Sequence, residues 1–136
     1  MGTNITNSRL LNSEQKVIFP EISMFGLTAI YNSGFRGVTF KYPIILPYLR
    51  NLTDSSFRGC RAPYVHIGDR WTSISGVAHM NDSVFDYLRI DTISPPNQPS
   101  LGSSYPIYVP DVSVDAYKNK WSTYASRIRG ISEYEG

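Results

Sequence analysis

Apolar residues recur along the chain in short blocks at a near-constant interval. Ile30, Leu52 and Ile74 are evenly spaced, and Phe35, Phe57 and His79 keep the same step. Gly37 and Gly59 keep it too, with Asn81 in third place. Recurrence at a fixed period of this kind predicts stacked units, each burying its apolar face against the next. Every unit contains one strand-like segment, at residues 42–46, 64–68 and 87–91. Side chains alternate between the two faces of a strand. The second and fourth positions are apolar in all copies (Pro43 and Ile45, Val65 and Ile67, Leu88 and Ile90), so they are expected in the core. The other positions then form three outward columns. These are Tyr42, Tyr64 and Tyr87; Ile44, His66 and Arg89; and Leu46, Gly68 and Asp91. Tyr108 follows Tyr87 by nearly the same step and extends the tyrosine column to four.

The flanks read differently. Residues 1–15 are polar, a lead-in by composition. Residues 16–19 are a short apolar run stopped by Pro20, a first strand that covers the open end of the stack. After Ser94 comes a proline-rich loop, then Ile107-Tyr108-Val109 bracketed by Pro106 and Pro110. Val114, Tyr117, Trp121, Tyr124, Ala125 and Ile128 have helical spacing, which predicts a helix over 113–128. Asp111 or Ser113 is its expected N-cap and Gly130 its stop. The division is residues 1–26 as N-terminal lead-in or cap, 27–94 as repeats and 95–136 as strand and helical cap, all within one structural domain.

Composition narrows the function classes. The 136 residues are 41% apolar, ordinary for a globular protein, and carry a net charge of +2. That charge is too small to point to nucleic acid. The chain is mildly basic through Arg70, with eight Lys/Arg against four Asp/Glu, and mildly acidic after it, with five against seven. The longest aliphatic run, Ile44-Ile45-Leu46, is far short of a membrane span. No apolar core of a signal peptide is present in this chain. The single cysteine, Cys60, forms no internal disulfide.

Cys60, His66 and Asp69 are close in sequence and suggest a nucleophile, a base and an orienting acid. Alternation argues against it, because His66 points out while Cys60 occupies a small apolar core position. No pair among Cys60, His66 and His79 has metal-ligand spacing, and no phosphate-binding glycine loop is present, so no metal, cofactor or enzymatic activity is expected. Arg36 and Arg58 are one repeat step apart and stack as a candidate anion contact. The outward columns remain the strongest candidate. Tyrosines are rigid anchors suited to interfaces and to stacking on sugars, and the open face of a stack is where such proteins bind.

SFRGC at 56–60, with apolar residues and a phenylalanine at the repeat positions, resembles the leucine-rich repeat of the BspA type. Residues 95–136 resemble the terminal segment of such proteins. They carry a double proline, a Leu-Gly-Ser turn, a Tyr-Val-Pro strand, SVDAYK at 113–118 and W-x-x-Y-A-x-R-I at 121–128. The resemblance implies a mixed, mainly β fold with short helices, a leucine-rich-repeat solenoid of about three repeats with a helical C-terminal cap. It also implies a non-enzymatic binding or adhesion module at the surface of a gut bacterium or outside it. Such a module contacts a protein or glycan through Tyr42, Ile44, Leu46, Tyr64, His66, Tyr87, Arg89, Asp91 and Tyr108. Similar segments occur on virions of viruses that infect gut bacteria. The alternative is therefore a virion accessory or fibre protein, with homo-oligomer formation or assembly through the N-terminal segment.

Overall fold

A computed structural model describes residues 3–5, 18–19, 22–23, 27–30, 35–102 and 105–134. Over these residues the chain is of mixed class, mainly short strands in parallel sheets with a few short helices. The strands are β1 (Thr3–Ile5), β2 (Ile18–Phe19), β3 (Ile22–Ser23), β4 (Leu27–Ile30), β5 (Thr39–Phe40) and β6 (Ile44–Leu46). There follow β7 (Asn51–Leu52), β8 (Tyr64–Ile67), β9 (Ser73–Ile74), β10 (Tyr87–Ile90), β11 (Ile107–Val109) and β12 (Ile128–Gly130). The one α-helix among the described residues, α1, covers Val114–Lys120.

Every strand pairing among the described residues is parallel. Six strands form one sheet in the order β12-β11-β10-β8-β6-β3, four form another in the order β1-β4-β7-β9, and β2 pairs with β5. The β5 line continues as bridges from Thr39 to Arg61 and from Arg61 to Val84. Parallel neighbours need a crossover of about a dozen residues or more. In this chain the crossovers pair with one another as well. Ala29 sits beside Asn51 and Leu52 beside Ile74, so the repeat step seen in the sequence holds from β4 through β7 to β9, while β1 pairs with β4 at a longer step. β1, β2 and β3 add a strand to each of the three sheets, so the residues expected as a lead-in carry paired backbone at 3–5, 18–19 and 22–23. The rest of that segment, and with it the expected N-terminal assembly contact, lies outside the described residues.

The turns between sheets form a ladder of their own. The Phe35 N–H donates to Ser56 O, Phe57 N–H to His79 O and Met80 N–H to Ser100 O. In a parallel ladder each N–H reaches the carbonyl just before its partner. The stacked residues are therefore Phe35, Phe57, Met80 and Leu101, all buried, with the first two rings 5.5 Å apart. Met80, not His79, takes the third aromatic's place. By the same pattern Gly37 N–H to Arg58 O and Gly59 N–H to Asn81 O stack Gly37, Gly59 and Asp82. Their φ angles are 73°, 69° and 60°. The third left-handed residue is thus Asp82 and not Asn81. The step from Gly59 to Asp82 is longer by a single position than the step from Gly37 to Gly59. Asp tolerates the left-handed region through its short polar side chain. His79 is a buried histidine with both nitrogens satisfied. Its Nε2 lies 3.0 Å from Ser75 O, and its Nδ1 accepts from the Ser100 N–H.

The core is one contiguous cluster from Phe35 to Ile128. Each fully buried aliphatic or aromatic side chain in it stabilises by about 1.5–3 kcal/mol relative to exposure. Its C-terminal part differs from the helical expectation. The helix stops at Lys120, Trp121 leaves it at φ −107° and ψ 56°, residues Ser122–Arg127 form a 3-10 helix, and Ile128–Gly130 is the edge strand β12. Ile128 is buried as a strand residue, and its helical spacing from Trp121 is coincidental. Ser113 stands at the N-cap position, as expected, but its side chain does not cap the helix, and Asp111 lies further out. The Ser113 hydroxyl donates to Ile93 O, and Asp111 Oδ1 accepts the Ser132 N–H. Gly130 is no helix stop either: it ends the edge strand β12, and the group a Cβ there would meet closely is the exposed Asp111 carboxylate, which can move aside. The segment is tied to the repeats by Tyr117, whose hydroxyl donates to Thr92 O, and by Trp121, whose indole N–H donates to Pro96 O.

Candidate outer-face binding site

The six-stranded sheet alternates cleanly. β8 and β10 read half-buried, buried, half-buried, buried, which puts Tyr64, His66, Tyr87 and Arg89 on one outer face as expected. Tyr64 pairs with Tyr87 and His66 with Arg89. The first copy is shifted. Ile44 pairs with Val65, Ile45 with His66 and Leu46 with Ile67. Ile44 and Leu46 are therefore fully buried core residues and Ile45 faces out. A slip by a single position exchanges the two faces of a strand, and three consecutive aliphatic residues give alternation nothing to fix the phase. The same slip leaves Pro43 in line with Tyr64. Tyr42 stands before the strand, 41% exposed, with Lys41 Nζ over its ring. It does not belong to the tyrosine column.

Tyr108 also moves. β11 pairs so that Leu88 meets Ile107 and Arg89 meets Tyr108. The step from Leu88 to Ile107 is shorter than the step from Val65 to Leu88, because the proline-bracketed strand follows a shorter connection. Tyr108 in turn pairs with Arg129 of β12. The outward row is therefore Ile45, His66, Arg89, Tyr108 and Arg129, with Tyr64 and Tyr87 beside it.

The side chains of this face touch one another. The Tyr64 and Tyr87 rings stack at 4.5 Å and 10°. Tyr108 meets Tyr87 edge-on at 5.7 Å, and Tyr134 packs on Tyr87 at 4.8 Å and on Tyr108 at 5.4 Å. Aromatic pairs of this kind contribute about 0.5–1.5 kcal/mol each beyond their buried area. Burial first, then the neighbouring Tyr134 and Tyr64 hydroxyls, holds the Tyr87 phenol well above the usual tyrosine range. Next to the rings, Asp91 takes two partners. His66 Nε2 lies 2.7 Å from its Oδ2, and Arg89 Nε donates to its Oδ1 at 3.0 Å. All three side chains are 26–40% exposed, so these pairs fix orientation more than they stabilise, at about 0.2–1 kcal/mol each. Tyr87, Arg89, Tyr108, Ile131 and Tyr134 line a partly open cavity of about 100 Å³.

Other candidates fall elsewhere. Arg36 and Arg58 lie on the turn ladder beside Phe35 and Phe57, not on the outer face. Arg58 Nε stands 4.0 Å from Asp82 Oδ2. Cys60 is fully buried, and burial pushes its thiol far up from the ordinary value. It is on the inside, while His66 is turned out towards Asp91. Asp69 is exposed near Arg70. Arg129, Ile131 and Tyr134 were not in the sequence-derived site. The alternation Ile128-Arg129-Gly130 (buried, exposed, buried) is a strand signal, masked by the helical stripe that ends at the same Ile128.

No family model matches this chain, and no curated protein matches it. Among the described residues no helix is long and apolar enough to cross a membrane, and no three His, Cys, Asp or Glu side chains converge as metal ligands.

Proposed function

We propose that this chain is a non-enzymatic binding module, a short leucine-rich-repeat solenoid of the BspA type that contacts a protein or glycan through the outer face of its six-stranded sheet. The observation that carries the reading is the composition of that face. Four tyrosine rings pack into one cluster beside a histidine–aspartate–arginine chain, all of it partly open to solvent. Core formation needs none of these polar groups, because the strands already bury Val65, Ile67, Leu88, Ile90, Ile107 and Val109 on their other side. Rigid aromatic anchors with oriented charged neighbours are the usual composition of a binding hot spot. The all-parallel stacking, with turns that pair with one another between the sheets, supports the solenoid. The buried Cys60 and the outward His66 support a role without catalysis. Display outside a cell is the corresponding location.

The test is binding to an array of purified glycans and a panel of purified surface proteins. A ligand bound by the unaltered chain is expected to be lost by about tenfold or more in Tyr64→Ala and in Arg89→Ala, with Arg36→Ala unchanged. Binding that survives both outer-face substitutions ends the proposal.

A further inference from the structure

The cavity at the C-terminal end of the outer face has a chemistry of its own. Its walls are three tyrosine rings, Tyr87, Tyr108 and Tyr134. Tyr108 stands at 84° to each of the other two, and those two meet at 50°. Steep mutual angles present ring faces and hydroxyl tips to one small volume. The flat C–H face of a sugar ring packs on such faces, and the phenol tips bond its hydroxyls. At about 100 Å³ the cavity is smaller than the roughly 150 Å³ that takes up a benzene, so a sugar ring would rest against its open side and not enter it whole.

The charge at this place is unusual for an aromatic box. A tyrosine cage alone suits a cation. Here Arg89 lines the cavity and repels one. Arg89 uses only its Nε on Asp91, and its terminal amino groups donate to no described residue. Across Tyr108 the next residue in register is Arg129, which is exposed. Strands are about 4.8 Å apart, so two guanidinium-bearing positions flank one tyrosine. Asp91 accepts from Arg89 and lies within hydrogen-bond distance of His66, and Glu133 Oε2 accepts the Gly130 N–H; both keep their charge, so attraction for a ligand carboxylate rests on the terminal amino groups of Arg89 and on the exposed Arg129. The fork of an arginine matches a carboxylate in a way a single ammonium does not. A bound peptide strand would look instead for main-chain partners at a sheet edge, and this cavity lies on the sheet face.

We infer that the Tyr87–Tyr108–Tyr134 cavity is a subsite for an acidic sugar, a pyranose whose ring stacks on tyrosine and whose carboxylate is held by Arg89 with Arg129 nearby. The inference rests on the outer-face binding proposed above and names its ligand class.

Titration calorimetry with two pairs of probes tests it. The pairs are tri-galacturonate against its methyl ester, and sialyllactose against lactose. At least one acidic member is expected to bind about tenfold or more tighter than its neutral counterpart, with the advantage removed in Arg89→Gln. Tyr134→Ala is expected to weaken binding by about fivefold or more, and Tyr134→Phe to retain most of it because the ring remains. Tyr134 is 45% exposed, and a melting curve for each variant checks that the fold is intact. Equal affinity for acidic and neutral members, or no binding of either acid at millimolar concentration, overturns the inference. If another ligand then binds with dependence on Tyr64 and Arg89, the outer-face reading stands while the acidic-sugar subsite falls. Loss of dependence on every outer-face residue sinks both.

Discussion

The turn ladder and the outer face are both columns of stacked residues built by the same repeated chain path, yet they do opposite work. On the ladder, Phe35, Phe57, Met80 and Leu101 are closed from solvent, and His79 beside them has both ring nitrogens satisfied by backbone. On the outer face, Tyr64 and Tyr87 stack equally well, but they and His66 remain partly open, and His66 faces a carboxylate. Stacking alone therefore does not distinguish a core from a site. What distinguishes the two is that the polar groups beside the closed stack are satisfied by backbone, while those beside the open stack are satisfied by other side chains, and this is what makes the outer face the candidate site.

That contrast is broken most directly at the rings. Phe57→Ala removes a closed core side chain and is expected to cost about 3–5 kcal/mol, against about 1–2 kcal/mol for Tyr64→Ala, which loses one ring pair and part of a half-buried surface. Urea unfolding of the two variants checks it. Equal losses would mean that the outer tyrosines are core by another name and would withdraw the argument for a site. The histidines offer the next test. His79→Ala leaves Ser75 O and the Ser100 N–H without their buried partner and is expected to cost about 1–3 kcal/mol. His66→Ala breaks a partly exposed pair and is expected to cost about 0–1 kcal/mol. A larger loss at His66 than at His79 would reverse the assignment of the two environments.

The left-handed column sharpens the comparison further. Gly59→Ala places a Cβ at φ 69°, where an L-residue is strained, and is expected to destabilise by about 1–2 kcal/mol. The reverse change at the equivalent position, Asp82→Gly at φ 60°, relieves that strain and is expected to stabilise by up to about 1 kcal/mol, since the Arg58 contact at 4.0 Å is exposed and weak. If Asp82→Gly destabilises instead, Asp82 is held for its charge and not for its backbone.

The same particulars show what the sequence could reveal. β8 and β10 were legible because polar and apolar residues alternate in them without a break, so the faces of Tyr64, His66, Tyr87 and Arg89 followed directly. β6 was legible as a strand and illegible in phase, because Ile44, Ile45 and Leu46 are interchangeable to any hydrophobic pattern. The period was legible only approximately. Its real steps along the strands, from Ile44 to Val65, from Val65 to Leu88 and from Leu88 to Ile107, are unequal, because the turns between them differ in length. A drift by a single position was enough to misplace His79 and Asn81, and the short last step misplaced Tyr108. The third wall of the cavity was hidden for a different reason. Tyr134 reaches Tyr87 only because the chain turns back as β12 and the short 3-10 helix at Ile131–Glu133, and no local signal near Tyr134 states its long-range partner.

Asp111 carries the smallest expected effect and links the C-terminal turn to the cavity. It is fully exposed, and the Ser132 N–H donating to its Oδ1 lowers its carboxyl below the usual value of 3.8. A carboxyl whose folded value is depressed contributes stability that is present above the ordinary value and is lost as pH falls through the folded one. That contribution belongs to the turn at Ile131–Glu133, whose Ile131 lines the cavity and whose next residue is Tyr134. Asp111→Asn is therefore expected to leave the global melting curve almost unchanged at neutral pH while speeding amide exchange at Ser132. In the unaltered chain the same loss of protection, measured against the intrinsic exchange rate at each pH, is expected only in acid. Exchange at Ser132 that is identical in variant and parent at neutral pH would show that this carboxylate does not hold the cavity wall, and that the turn is kept in place by the Tyr134 ring against Tyr87 and Tyr108.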